Sequence, residues 1–299
     1  MTLVIICGAT ASGKSDAAVE LAKRVDGEII NADSMQIYRG MDIGTAKLTI
    51  EERQGIPHHL LDVINVSEDA TVAWYQQLAR EKVSEIESSG KVAIVVGGTG
   101  LYIKSIVDEL NFPDTDPDVR ANLESEAETF GLAALFEKLQ NLDPVAASNI
   151  DRANARRVIR ALEVITITGK PFSASLPRED SELYPEALHF GMAADREVLR
   201  ERVSDRVDRM WSLGFVDEVK KLVDEGIRRG VTAQKAIGYA QILNLLNGNI
   251  SEDEAVEDTK RATRQYIRRQ ETWFNRDERI QWIAPSVNRV DEMVKRINS

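Results

Sequence analysis

The first feature that could do chemistry is an eight-residue segment with the pattern G-x-x-x-x-G-K-[ST], which is typical of a phosphate-binding loop. Its residues are Gly8, Ala9, Thr10, Ala11, Ser12, Gly13, Lys14 and Ser15. The glycines let backbone N–H groups point at an anion, and the helix that follows adds its positive end. Lys14 would place a charge beside the phosphates, and the Ser15 hydroxyl could ligate Mg²⁺. The pattern leaves open whether the ligand is a nucleoside triphosphate or another diphosphate.

Two further polar residues follow apolar runs of strand length. Asp33 comes after the run at 28–32, and Thr99 lies in the Gly-Gly-Thr-Gly turn at 97–100, after the run at 92–96. Ligands of an open α/β sheet bind at the carboxyl ends of its strands. Asp33 could therefore be a general base or a Mg²⁺ ligand, and Thr99 could contact substrate. Asp33 could equally cap a helix, and Thr99 could serve only the turn.

The elements that would position these residues alternate along the chain. Apolar runs of strand length lie at 3–7, 28–32, 92–96 and 188–192. Segments with helical spacing separate them, which predicts an α/β fold with a parallel sheet flanked by helices, as in P-loop NTPases. Pro113 and Pro117 interrupt the alternation, and the chain beyond them has helical spacing. We therefore expect a catalytic core at 1–112 and 187–299, with an all-helical insertion domain at 113–186.

The charges are unevenly distributed. The 299 residues carry a net charge of −11, which by itself argues against a nucleic-acid partner. The arginines nevertheless form three rows: Arg156, Arg157 and Arg160; Arg202, Arg206 and Arg209; and Arg261, Arg264 and Arg268. A single row is more often a solvated helix face, but three rows in one acidic chain favour anion binding.

Composition also predicts the compartment. Cys7 is the single cysteine, so a disulfide framework is impossible and a reducing environment is expected. No apolar run approaches the length that spans a membrane. We expect a cytoplasmic protein with no membrane partner.

Several segments together resemble one family, the tRNA dimethylallyltransferases, in the order in which that family has them. The segments are 8–15, 33–38, 42–47, 57–60, 97–102, 156–163, 214–219, 236–239, 263–265 and 268–270. They extend over nearly the whole chain. The sequence departs from the family at Ala9, where many members have proline, and at Lys235-Ala236, where many bacterial members have Arg-Cys.

The resemblance implies a reaction and its participants. Members of the family transfer a dimethylallyl group from dimethylallyl diphosphate to N6 of adenosine 37, on the 3′ side of the tRNA anticodon, and release diphosphate. The loop would then hold a prenyl diphosphate, with Mg²⁺ as cofactor. The macromolecular partner would be the tRNA anticodon stem-loop, and the protein would act as a monomer.

The resemblance also implies residue roles. Asp33, Thr99, Lys14 and Arg206 would be catalytic, with Asp33 as the base and Arg206 on the departing diphosphate. The eight loop residues 8–15 would bind the diphosphate. The implied tRNA contacts are Asp33, Ser34, Met35, Gln36, Thr99, Arg120, Arg156, Arg157, Val158, Ile159, Arg160, Lys235, Gly238, Tyr239, Arg264 and Arg268.

Three other functions compete with this interpretation. A small-molecule kinase would use the same loop, with the insertion as its arginine-bearing lid. An adenylate isopentenyltransferase shares the loop but generally lacks the insertion and the basic C-terminal helix. A non-catalytic RNA-binding protein would not need Lys14, Asp33 and Thr99 together.

Overall fold

The computed structural model describes residues 3–175, 182–286 and 288–298. Within these ranges the strands are β1 (Leu3–Cys7), β2 (Gly27–Asn31), β3 (His58–His59), β4 (Val92–Gly97), β5 (Leu188–Met192) and β6 (Ile280–Ile283). The helices are α1 (Lys14–Val25), α2 (Val72–Ser88), α3 (Gly100–Val107), α4 (Pro117–Phe130), α5 (Leu132–Leu142), α6 (Pro144–Asn149), α7 (Ala155–Thr168), α8 (Arg196–Ser212), α9 (Phe215–Asp224), α10 (Tyr239–Leu246), α11 (Glu252–Phe274) and α12 (Arg289–Ile297). Residues 176–181 of the expected insertion lie outside the described residues.

The six strands form one parallel sheet in the order β3-β2-β4-β1-β5-β6. All five residues of β1 are buried, as a parallel sheet covered on both faces requires. In the register, Ile5 of β1 lies between Val95 of β4 and His189 of β5. The predicted α/β fold is confirmed, and the sheet is consistent with a P-loop architecture.

The two faces of the sheet bury different residues because alternate side chains of a strand point to opposite sides. Ile5 packs in one cluster with Ile103 of α3 and with residues of α2. Ile6 packs in the other with Leu21 of α1 and Met293 of α12. These layers bring the carboxyl ends of β2, β4 and β1, which are neighbours in the sheet, to one edge.

One helical prediction differs from the structure. The spacing at 234–247 predicts a single helix, whereas the structure has a 3₁₀ turn at Ala233–Lys235 followed by α10. Gly238 separates them with a φ of 87°, a backbone conformation that favours glycine. A Cβ at this position would also lie 2.6 Å from the Phe215 ring.

The described chain forms two compact units. The first contains the residues up to Val107 and from Tyr184 onward, and the second is Asp108–Leu183. The second unit consists of α4 to α7 with a short 3₁₀ turn, around a core that includes Leu135 and Leu162. None of the described helices is long and apolar enough to cross a membrane.

Candidate active site

The phosphate loop joins β1 to α1. Gly8 has a φ of 141° and Gly13 a φ of 81°, so both ends of the loop adopt backbone conformations that favour glycine. Gly13 is the N-cap of α1 and offers no side-chain cap, which leaves the first N–H groups of the helix for a ligand. The segment therefore has the geometry of an anion site at the positive end of a helix.

A cavity of about 140 Å³ lies beside this loop. The predicted site residues that line it are Thr10, Ala11, Gly13, Lys14, Ser15, Asp33, Gln36 and Arg206. Gly8, Ala9, Ser12 and Thr99 do not line it. The structure thus brings together residues that are far apart in the sequence: the loop after β1, the start of α1, the segment after β2, and α8.

Part of the cavity wall was not predicted from the sequence. Leu48, His58 and Leu61 line it together with Thr45 and Ala46. The His58 ring shares a hydrogen bond of 2.8 Å between Nδ1 and the carbonyl of Ile56, and burial lowers its pKa. The only feature of the sequence that could have indicated this part of the wall is that most of these residues lie in segments that match the resembled family.

Lys14 reaches back across the loop. Its Nζ donates to the Ala9 carbonyl at 2.8 Å. Burial lowers the pKa of the ammonium to about 8, while the charge of Asp33 raises it and that of Arg206 lowers it further. The loss of hydration makes this cation ready to exchange weak partners for the charge of a phosphate.

Asp33 lies just after β2 and is half-buried. Its Oδ1 accepts a hydrogen bond from the N–H of Met35 at 2.8 Å, so the residue does stabilise a local turn. No described residue donates to Oδ2. Asp33 therefore uses Oδ1 to stabilise the turn, while Oδ2 remains available to a substrate.

Thr99 supports the Asp33 segment from the neighbouring strand. Its Oγ1 accepts from the N–H of Ser34 at 3.1 Å and donates to the Ser34 hydroxyl at 3.3 Å. The two strand ends approach closely here, because a Cβ on Gly97 would lie 2.1 Å from the Ala32 carbonyl oxygen. Thr99 is thus held beside Asp33, although it is not in the cavity lining.

Side chains from the C-terminal half hold the phosphate loop. Arg202 donates to the Ala11 carbonyl at 3.2 Å, and Arg289 donates to the carbonyls of Ser12 and Gly13 at 3.4 and 3.2 Å. Fixing the carbonyls on these cations leaves loop N–H groups for an anion. Arg289 was missed because no local pattern links it to the loop, whereas Arg202 belongs to a predicted row.

Arg206 contacts the phosphate loop and also lines the cavity. Its Nη1 donates to the Thr10 hydroxyl at 3.5 Å. Burial lowers its pKa, which the charge of Asp16 opposes and that of Arg202 reinforces. A partly desolvated guanidinium that lines the cavity is well placed to bind an anion bidentately.

The tRNA contact predicted for Tyr239 needs correction. Its side chain is fully buried, lies edge-on to the Phe215 ring, and donates to Glu218 Oε1 at 2.7 Å. Glu218 also accepts from the N–H groups of Ile43 and Gly44. Tyr239 therefore supports the loop beside the cavity and cannot present its ring to RNA.

The other two predicted tRNA contacts near Tyr239 differ in their exposure. Gly238 is buried, while Lys235 is exposed on the surface. The segments that match the resembled family at 42–47, 214–219 and 236–239 are thus in contact with one another. Sequence similarity could not separate a packing role from a binding role.

In the second unit, α7 exposes some predicted contacts and buries others. Val158 and Ile159 belong to the apolar core, so their side chains cannot contact RNA, and this prediction is corrected. Their burial follows from their place on the apolar stripe of an amphipathic helix. Arg156 and Arg157 are exposed and form no ion pair with a described residue.

Arg120 and Arg160 converge on Glu163 of α7, which is completely buried. They donate to its Oε2 at 2.6 and 2.9 Å. Burial alone would raise the pKa of Glu163, but the two guanidinium groups and the Asp116 N–H outweigh it and lower the pKa. Both arginines thus have a structural role in this unit, which the sequence did not show.

The arginines of α11 line a second cavity of about 340 Å³. Its wall consists of Arg261, Arg264, Gln265 and Arg268 of α11 together with Arg200 of α8. Arg261 is also paired with Asp258 at 2.6 Å. We name this cavity, defined by these five lining residues, the arginine pocket. Its charge contrasts with the acidic chain and suits an anionic partner.

Comparison with known proteins places this geometry in a family. A family model described as IPP transferase matches residues 36–277. The tRNA dimethylallyltransferase of Streptomyces griseus is 53% identical over 282 residues, which cover 94% of this chain and 90% of that protein. The tRNA dimethylallyltransferase of Thermobifida fusca is 54% identical over 287 residues, covering 94% and 89%.

Solved structures are similar over the same extent. The tRNA isopentenylpyrophosphate transferase from Bacillus halodurans superposes with a TM-score of 0.73 at 41% identity, covering 99% of this chain and 95% of that one. A eukaryotic dimethylallyltransferase acting on tRNA superposes with a TM-score of 0.82 at 27% identity, covering 96% and 74%. The likeness therefore extends through both units of the chain.

Proposed function

The chain belongs to the IPP transferase family, and from that membership we propose that it transfers a dimethylallyl group from dimethylallyl diphosphate to tRNA. The acceptor is N6 of adenosine 37, beside the anticodon, and the second product is diphosphate. The observation that carries the proposal is a single cavity lined by both the phosphate loop and Asp33. A phosphate cradle beside a carboxylate suits a reaction in which diphosphate leaves while an amine loses a proton.

In this reaction the bond from C1 of the donor to the diphosphate oxygen breaks, and diphosphate keeps the electron pair. A new bond forms between C1 and N6 of adenine, and Asp33 Oδ2 takes the proton that N6 gives up. The loop N–H groups, Lys14 and Arg206 stabilise the charge that develops on the leaving diphosphate. The Met35 N–H on Oδ1 keeps the carboxylate oriented toward the cavity.

The residues present suit a magnesium ion. Ser15 and Asp33 both line the cavity, and hydroxyl and carboxylate oxygens are donors that Mg²⁺ accepts alongside substrate phosphates. We assign the Ser15 hydroxyl as its protein ligand. When bound, Mg²⁺ would neutralise charge on the diphosphate.

Adenosine 37 must leave its stack to reach Asp33, because the reacting amine of a stacked base is not accessible to a cavity. The acidic chain cannot hold the RNA by its overall charge, so local cationic surfaces must do so. We propose two such surfaces: the exposed Arg156 and Arg157, and the arginine pocket. We propose that one chain supplies all of these residues and that the enzyme acts as a monomer.

Product analysis separates this function from a kinase. The protein is incubated with tRNA and Mg²⁺, and with either dimethylallyl diphosphate or ATP, while released diphosphate and the ADP formed from ATP are measured. We expect diphosphate release from the prenyl donor in step with RNA modification, and no formation of ADP, which is the product that a kinase leaves from ATP. ATP turnover coupled to product formation would instead support a nucleotide-driven enzyme.

Replacing Arg156 and Arg157 together by alanine should weaken tRNA binding and leave the affinity for dimethylallyl diphosphate unchanged. Each phosphate contact releases condensed counterions from the RNA, and a variant that lacks the contact releases fewer of them. The slope of log Kd against log salt should therefore fall by about one to two units. The measurement is tRNA Kd by filter binding across a salt series.

The control replaces Lys170, an exposed lysine beyond the C-terminal end of α7 that forms no ion pair with a described residue, and should leave the slope unchanged. Arg160 is not chosen because its guanidinium stabilises Glu163. An unchanged slope in the double arginine variant would show that Arg156 and Arg157 are only a solvated helix face.

A further inference from the structure

One buried side chain of α11 connects two loops of the candidate active site. Gln270 is only 4% exposed. Its Oε1 accepts from the N–H of Thr10 in the phosphate loop at 2.9 Å, and its Nε2 donates to the carbonyl of Gly98 at 2.9 Å. Thr10 follows β1 and Gly98 follows β4, so a single amide spans the ends of two neighbouring strands.

The contact at Gly98 depends on the absence of a side chain. A Cβ on Gly98 would lie 2.2 Å from Gln270 Nε2, so a side chain at this position would displace the amide. The Tyr266 hydroxyl, one turn earlier on α11, also donates to the Gly98 carbonyl at 3.4 Å. The turn after β4 is therefore shaped to receive this amide.

Each end of the bridge continues into one half of the site. At the loop end, the hydroxyl of Thr10 accepts from Arg206, the residue assigned to the diphosphate. At the turn end, Gly98 is followed by Thr99, which bonds Ser34 beside the assigned base. No other amide side chain in the described chain bonds to both the phosphate loop and the turn.

We propose that Gln270 is a positioning residue that fixes the distance between the diphosphate-binding loop and the base Asp33. The inference rests on the proposed function, because it concerns the same site. Transfer requires C1 of the donor and the acceptor amine to approach in line, and a misplacement of about 1 Å can cost about 10²-fold in rate. A bridge between the two halves is where such a misplacement is prevented.

The test compares the full chain with Gln270→Met, which keeps the length and helix propensity of the side chain but removes both hydrogen bonds. We expect kcat for dimethylallyl transfer to fall about 10- to 100-fold, with tRNA Kd changed by less than about twofold. Thr259→Val is the control, because Thr259 is buried on the same helix and its hydroxyl donates only to the Ala255 carbonyl. It should keep kcat.

A second measurement does not depend on transfer. The affinity for inorganic diphosphate in the presence of Mg²⁺ is measured by titration calorimetry. We expect it to weaken about three- to tenfold in Gln270→Met and to stay unchanged in Thr259→Val, because a loosened loop presents its N–H groups less well. This measurement tests the loop end of the bridge even in a variant with no turnover.

The outcomes separate the two proposals. If the unaltered protein transfers dimethylallyl to tRNA and Gln270→Met keeps both its kcat and its diphosphate affinity, the positioning role is wrong. A kcat loss that matches the loss of folded protein would also overturn it. If the unaltered protein transfers nothing, the proposed function fails, and the diphosphate titration alone decides whether Gln270 orders the loop.

Discussion

Replacing Asp33 by asparagine should lower kcat for dimethylallyl transfer by about 10²- to 10⁴-fold, which is the usual cost of losing a general base. Asparagine keeps an Oδ1 that can accept from the Met35 N–H, so the turn after β2 survives. It lacks the carboxylate oxygen that takes the N6 proton. The measurement is single-turnover transfer with saturating tRNA and donor, so that binding does not limit the rate.

Asp33→Ala provides the comparison, because it removes both the base and the turn contact. Both variants should bind tRNA with nearly unaltered affinity, because the surfaces proposed to bind tRNA do not include Asp33. If asparagine retains near-full kcat while alanine loses it, then Asp33 serves only the turn, and another group must accept the proton.

Lys14→Ala should have the second large effect, a fall of about 10²- to 10³-fold in kcat/KM for the prenyl donor, comparable to the loss of one oxyanion-stabilising donor. Its pKa of about 8 also predicts a pH dependence. The ammonium is charged below that pH and neutral above it, so kcat/KM should decline as pH rises through about 8. This quantity reports the free enzyme, in which no diphosphate yet stabilises the charge.

Lys14→Arg is the control for charge, because arginine stays protonated throughout this range. Its residual activity should lack the decline near pH 8. The profile is measured from kcat/KM of the donor at fixed tRNA between pH 6 and 9.5, at constant ionic strength. A decline of equal size in Lys14→Arg would assign the pH dependence to another group.

The phosphate loop could be predicted from the sequence because all its chemistry is local. Eight consecutive residues carry the anion site, and the strand and helix on either side follow from their own periodicity. Asp33 and Thr99 could also be predicted from the sequence, because the carboxyl ends of parallel strands lie at the same edge of a sheet. The structure adds that these ends are neighbours, with β4 between β2 and β1.

The supports of the loop were not predictable in the same way. Gln270 is 260 residues from Thr10, and Arg289 is 276 residues from Gly13, so no periodicity connects these side chains to the loop. Residue matches also cannot give side-chain direction. Tyr239 and Val158 lie in segments that match the family, yet both side chains pack in a core.

The arginine rows show a related limit. Spacing identifies which residues share a helix face, but it does not identify the acidic residues that other elements place against that face. Arg160 meets the buried Glu163, whereas Arg264 and Arg268 line the arginine pocket with Arg200 from another helix. Only the tertiary arrangement separates a structural ion pair from a surface that can hold RNA.

The central claim is tested most directly by nucleoside analysis of one RNA. The full chain is incubated with Mg²⁺, dimethylallyl diphosphate labelled in its prenyl group, and an anticodon stem-loop carrying adenosine at position 37. A matched stem-loop carries guanosine there. The RNAs are digested to nucleosides, and the label is located by chromatography with mass detection.

We predict that the label appears as N6-dimethylallyladenosine, at up to one per adenosine-37 stem-loop, and is absent from the guanosine control. Asp33→Asn, assayed in parallel, should give little product. Equal labelling of the guanosine stem-loop, or no labelled nucleoside although the stem-loop binds, would contradict the assignment of this chain as a transferase that prenylates adenosine 37 of tRNA.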